Sequence, residues 1–295
     1  MIACGSFVRS FAGAAALTAG LASAQPGAAP DDVKGSWMLA VGAQVDEDSN
    51  ESALGTFSVG VGRATWLSIA AGRTSSPADR ADIEADTLVL GLDQRLPKVG
   101  FTLEAEEWGD SGVLEAQDLA GTVYVDRESW RLAFGYETRD IDIPFTVTGP
   151  LGNTIRRTLQ TGADSYSLDA RVALGERWQL YLGVAEYDYE RNLNAIPRID
   201  SLNMLSTSTL TLANSFIDHE RSIGAEREIG RTLFSMRFAT DHSAIDGSKF
   251  ETYDFAVLVP LGARVDLEVN VGSGRSEFFD SGYYGGLLFL VYGGR

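Results

Sequence analysis

The chain has 295 residues, a formal net charge of −17 at pH 7, one cysteine and two histidines. Such a surplus of acid disfavours a nucleic-acid partner, whose phosphates want the opposite field. One cysteine cannot build a disulfide framework, and so sparse a His/Cys inventory offers no clustered zinc or haem site, so no metal or cofactor is expected.

Residues 1–24, "MIACGSFVRSFAGAAALTAGLASA", carry Arg9 in a short start, an apolar small-residue stretch from Phe11 to Leu21, and Ala22-Ser23-Ala24 ahead of Gln25. This is the layout of a secretory signal peptide cleaved after Ala24, and the apolar run is too short to span a bilayer. Cleavage would also remove Cys4. Residues 25–34 then read as a short periplasmic segment. Beyond the leader no apolar stretch reaches the roughly eighteen residues of a helical span, so a membrane role would have to come from strands.

From residue 35 onward one pattern recurs. "SWMLAVGAQV" sets Trp37, Leu39, Val41, Ala43 and Val45 on one face, and "TFSVGVG" does the same with Phe57, Val59 and Val61. "WLSIAAGR" and "DTLVLGL" follow, then "FTLEAEEW", where Phe101, Leu103 and Ala105 oppose Thr102, Glu104 and Glu106. "LAGTVYV" and "WRLAFGYE" form the next pair. In "SYSLDARVALGERWQLYLGVAEYDYE", Tyr166, Leu168, Ala170 and Val172 alternate against Ser165, Ser167, Asp169 and Arg171, and Trp178, Leu180, Leu182 and Val184 resume the apolar face after Gly175. "LFSMRFAT", "FETYDFAVLV", "RVDLEVNVGSG" and "YYGGLLFLVYGG" complete the series. Strict alternation of this kind marks half-buried strands.

These runs give thirteen clear strands, and a chain that starts and ends on one side of a membrane needs an even number. "SFIDHERSIGAEREIG", residues 215–230, supplies the fourteenth although its apolar face is poor, with Ile217, Ile223 and Ala225. Twelve and sixteen strands remain alternatives. Connections alternate between short ones, near residues 62–65, 93–100, 126–129, 175–177, 229–231 and 260–263, and longer polar ones, near 46–53, 74–82, 108–116, 144–162, 191–213, 242–250 and 274–283. Short periplasmic turns on one rim and long extracellular loops on the other are expected of a transmembrane barrel. Aromatic residues near strand ends, Trp37, Trp66, Phe101, Trp130, Trp178 and Tyr253, fit interfacial girdles. The fold expected is all-β: a single antiparallel up-and-down transmembrane β-barrel over residues 35–295. A soluble sandwich is the rival, and its non-apolar face would not be so consistently small and charged.

The last strand, with Tyr284, Gly286, Phe289 and Val291, resembles the terminal strand of bacterial outer-membrane proteins, although Gly293-Gly294-Arg295 follow where that family ends on Phe or Trp. In size and strand number the chain is similar to monomeric porins of about fourteen strands. The resemblance implies insertion by the barrel assembly machinery, a surround of outer-membrane lipid and lipopolysaccharide, a monomeric state, and passage of small hydrophilic solutes.

If the apolar face meets lipid, alternation turns the acids Glu104, Glu106, Glu137, Asp169, Asp254, Asp266 and Glu268 inward, with Arg131, Arg171 and Arg237. These are the expected pore-lining residues, and their acid excess favours small cations. The other reading is an interior closed by its own salt bridges. Residues 191–215, apolar for a loop, are a candidate constriction or strand extension, and Arg156 and Arg157 could meet anionic lipopolysaccharide. The expectation is a passive diffusion channel that prefers cations, with a closed structural or adhesion barrel as the alternative.

A hydrolase on the rim is the third possibility. His242, with Ser243 or Ser248 as nucleophile and Asp241 to orient the imidazole, supplies the residue types. His219, flanked by Asp218 and Glu220, suggests metal ligation, but neighbours along a regular strand project to opposite faces, and no ligand from another strand can be assigned.

Overall fold

The computed structural model describes residues 33–294 except 48, 77–82, 111–113, 149–153, 192–215, 246 and 277–281. Fourteen strands run in chain order: β1 Trp37–Asp46, β2 Glu51–Gly60, β3 Thr65–Ser76, β4 Ile83–Arg95, β5 Val99–Asp110, β6 Leu114–Asp126, β7 Trp130–Thr148, β8 Thr154–Leu174, β9 Trp178–Tyr189, β10 Ile217–Ile229, β11 Thr232–Ser243, β12 Lys249–Pro260, β13 Val265–Ser276 and β14 Gly282–Gly293. Each pairs antiparallel with its sequence neighbours, and β1 pairs with β14 from Trp37↔Gly293 to Asp46↔Tyr284, which closes the barrel. The leader, the constriction segment 191–215 and most of residues 25–34 fall outside the described residues, apart from Arg191, Val33 and Lys34.

Alternation decides the geometry. Leu39, Val41, Phe57, Leu67, Leu88, Leu103, Val123, Phe134, Leu168, Leu182, Met236, Phe255, Val271 and Phe289 are all exposed on the outer face, while their chain neighbours turn inward. A continuous apolar belt of this extent has no place on a water-soluble surface and is what lipid requires. Closure satisfies the other demand of a bilayer, that every strand edge be hydrogen-bonded.

The short connections fall at residues 61–64, 96–98, 127–129, 175–177, 230–231 and 261–264. At Gly175 and Gly230 the backbone is left-handed, with φ of 71° and 67°, a conformation glycine adopts without strain. Between the opposite strand ends the structure corrects the expected loop lengths. β7 and β8 run on to Thr148 and from Thr154, so most of residues 144–162 is strand. The connections expected near 46–53, 74–82, 108–116, 242–250 and 274–283 are shortened in the same way, whereas β9 ends at Tyr189 and β10 begins at Ile217, so the one expected near 191–213 is not.

Trp37, Phe101, Trp130, Trp178 and Tyr253 are exposed at strand ends, as a girdle requires. Trp66 is a correction. Lying opposite Gly60 and Asp93, it shares the inward parity of buried Ala70, and its indole nitrogen is enclosed. The lipid positions of β3 are Leu67 and Ile69, so a tryptophan beside them must enter the barrel.

Candidate functional site in the barrel interior

All ten residues expected to line the interior lie on the inward face: Glu104 and Glu106 on β5, Arg131 and Glu137 on β7, Asp169 and Arg171 on β8, Arg237 on β11, Asp254 on β12, and Asp266 and Glu268 on β13. They do not form one ring. The interior charges gather in three groups.

Near the outer rim, Arg139 Nη2 lies 2.8 Å from Asp118 Oδ2 and 2.9 Å from Glu137 Oε1, with all three side chains almost fully enclosed. Trp108 Nε1 donates to Asp118 Oδ2 at 3.2 Å, and the guanidinium lies 5.7 Å from the Trp108 ring centroid and 5.6 Å from that of Tyr187. Beside this group, Trp108, Leu114, Ala116, Ile141, Ile143 and Phe216 pack into an apolar cluster.

Near the periplasmic rim, Arg95 Nε donates to Asp93 Oδ2 at 2.6 Å, and Tyr124 Oη donates to Asp93 Oδ1 at 3.0 Å. Arg131 lies 3.8 Å above the Tyr124 ring, and Arg171 is 3.8 Å from Asp126 Oδ1. On the opposite wall, Arg237 Nη2 pairs with Glu220 Oε1 at 2.5 Å and its Nη1 lies 3.9 Å from Asp254 Oδ2, while Tyr284 donates to Asp254 Oδ1.

The two tyrosines follow one construction. Tyr124 lies across Gly100, its partner on β5, to reach Asp93 on β4, and Tyr284 lies across Gly272, its partner on β13, to reach Asp254 on β12. A Cβ on either glycine would overlap the ring. Glycine therefore lets a phenol lie flat on the wall and tie together three strands.

Carboxylates exceed arginines, most clearly on the wall from β10 to β13. Glu220, Glu226, Asp241, Asp254, Asp266 and Glu268 face inward there beside Arg237 as the inward arginine. Glu226 Oε2 and Asp241 Oδ1 are enclosed and accept no hydrogen bond from protein. Such oxygens are costly to keep charged unless water or a cation meets them. Not every part of the interior is polar. Met38, Ala40, Leu258, Leu288 and Leu290 form an apolar patch at the periplasmic end.

The rim hydrolase is not assembled. Asp241 and Ser243 are buried on the interior face, and Ser243 Oγ accepts from Ile245 N at 3.1 Å. His242 between them points outward and stacks on His219. Successive residues of a strand face opposite sides, so the base does not meet the acid and nucleophile. Among the described residues, no group of three or more His, Cys, Asp or Glu side chains converges to hold a metal.

Reasoning from sequence missed Asp93, Arg95, Asp118, Arg139, Glu220 and Glu226. The same parity rule would have found them, had β4, β6 and β7 been given their full lengths and the alternation been carried through β10.

No protein-family model matches the chain, and no curated protein sequence matches it significantly. Solved structures do match. Superposed on the CymD monoaromatic hydrocarbon channel the chain gives a TM-score of 0.56 at 8% identity, covering 100% of this chain and 95% of that one. A loop-deletion mutant of OmpT, an outer membrane protein of Vibrio cholerae, gives 0.47 at 9% identity, covering 88% and 98%. The KdgM porin gives 0.43 at 7% identity, covering 85% and 98%. The fold is thus shared with the CymD channel.

Proposed function

We propose that the protein is an outer-membrane channel for passive diffusion of small hydrophilic solutes and that it prefers cations. The observation that carries this reading is the surplus of inward carboxylates over arginines, greatest on the wall from β10 to β13. A barrel sealed for structure alone gains nothing from such a surplus, whereas a hydrated path for cations uses it. In this reading residues 1–24 direct export and are removed, the barrel assembly machinery inserts the chain, and it works as a monomer with lipopolysaccharide around its outer rim, where Arg156 and Arg157 stand exposed. It has no enzymatic role and no cofactor.

One observation favours a closed barrel acting through its external loops: Leu290 and Ile143 are fully enclosed, so the wall is covered at those two places. Single-channel recording of the refolded chain in a planar bilayer separates the readings. Stable conductance steps with cation preference are expected. Combined Glu104→Gln, Glu106→Gln, Asp169→Asn and Glu268→Gln substitution should lower that preference, while His242→Ala leaves conductance unchanged. Folded, inserted protein that never conducts would overturn the channel in favour of the closed barrel.

A further inference from the structure

The short turns carry a charge pattern that a diffusion path does not need. Each of the six has one basic residue, Arg63, Lys98, Arg127, Arg177, Arg231 or Arg264, and all six are exposed. That is six of the nineteen turn residues, against 24 of 295 in the whole chain, and the turns hold two acids, Glu128 and Glu176. A chain of net charge −17 has thus gathered cations at one end. At the other end the outward positions above the belt carry the acids Glu84, Asp86, Glu107, Glu115, Asp140 and Asp142.

The basic end is densest between β8 and β11. Arg227 projects from the outer face of β10, directly opposite Trp178 on β9 and Phe234 on β11. The carbonyl of Arg177 accepts from Glu228 N at 3.0 Å, which brings the β8–β9 turn against the end of β10, and Arg231 stands in the turn that follows. We propose that Arg177, Arg227 and Arg231, with Trp178, form a headgroup site for an anionic phospholipid of the periplasmic leaflet.

The chemistry suits a phosphate. The Arg227 guanidinium lies 5.0 Å from the centroid of the Trp178 ring, and stacking of this kind engages the flat face while leaving the N–H edge to donate to phosphate oxygens. Of the neighbouring acids, Glu228 shares the inward parity of Glu226, so Glu176 is the one that stands with the arginines. The position suits a lipid. Toward the middle of the belt the outward residues of β10 are Ala225 and then Ile223, beside Leu180 and Leu182 on β9. Ala225 lies between the longer side chains of Leu180 and Met236, which leaves a shallow trough for an acyl chain below the arginine. A soluble anionic partner would ask for cations directed off the end of the barrel, whereas Arg227 is on the lipid-facing wall, level with the aromatic girdle.

The refolded barrel in detergent, titrated with phosphatidylglycerol or with phosphatidylcholine of the same acyl chains and followed by native mass spectrometry, tests the site. Phosphatidylglycerol should bind about tenfold more tightly than phosphatidylcholine. One basic side chain near a lipid surface is worth about fivefold in affinity, so Arg227→Gln should weaken binding about fivefold, and combined Arg177→Gln, Arg227→Gln and Arg231→Gln about a hundredfold. Arg156→Gln with Arg157→Gln, at the opposite rim, should leave it unchanged. All variants alter exposed side chains and are expected to keep the heat-modifiable gel shift of a folded barrel. Equal binding of the two lipids, or undiminished binding by the triple variant, overturns the proposal. So does displacement of the lipid by inorganic phosphate or by soluble anionic peptidoglycan fragments, which would make this end a docking surface for periplasmic anions. The site is on the outer wall, so it stands whether or not the interior conducts. The leaflet assigned rests on the short turns facing the periplasm, and labelling of Ser129→Cys on intact cells by an impermeant maleimide, above that of the unsubstituted chain, would overturn it.

Discussion

Arg139 is the residue on which the outer interior group depends. Its guanidinium is the bridge between Asp118 and Glu137, and those carboxylates are only 8% and 2% exposed. Removing one partner of an enclosed ion cluster leaves the others unpaired, at a cost of about 3–5 kcal/mol. Arg139→Met should therefore lower the free energy of unfolding by that amount, read from urea titration followed by tryptophan fluorescence. Adding Asp118→Asn and Glu137→Gln should restore most of it. This group was hidden in the sequence for a physical reason. Asp118 and Arg139 sit where the strands rise above the belt and the outward positions become polar too, as at Gln117, Asp140 and Asp142. With polar residues on both faces the period of two disappears from the sequence, although the strand continues. Lower in the wall, where lipid enforces contrast, the inward parity of Glu104 on β5, Asp169 on β8 and Glu268 on β13 was legible.

At the scale of elements, the flat tyrosines give a specific test. Gly272→Ala puts a methyl group where the Tyr284 ring lies, so the ring must swing away and release Asp254. Overpacking of this kind costs about 1–3 kcal/mol, and the same unfolding measurement should show it. Gly285→Ala, whose nearest neighbour would be 3.6 Å away, should change little. Strand count was readable even at β10, whose apolar face is weak, because closure demands an even number and its turn at Gly230 matches the one at Gly175. The bulge at Asp218 was not readable. One inserted residue reverses the parity of the strand, and only the partner strand reveals it, since His242, 23 positions after His219 in the chain (242 − 219), lies directly opposite it in space.

The whole molecule adds a constraint that neither residues nor strands contain. In a closed wall, all inward charges act on one enclosed volume, and the carboxylate surplus from β10 to β13 faces groups in which Arg95, Arg139 and Arg171 are paired with acids and Arg131 lies over the Tyr124 ring. The field felt by a permeating ion is then set by screening as much as by charge. The Debye length shrinks from about 10 Å at 0.1 M salt to about 3 Å at 1 M, so interior carboxylates that act together in dilute salt act singly in concentrated salt. Reversal potentials measured across a fixed concentration ratio should give a cation-to-anion permeability ratio that falls toward unity as mean potassium chloride rises through this range. A ratio independent of salt would place selection in a tight contact site instead of the interior field. Anion preference would mean that the paired arginines dominate the path, against the charge distribution of the wall.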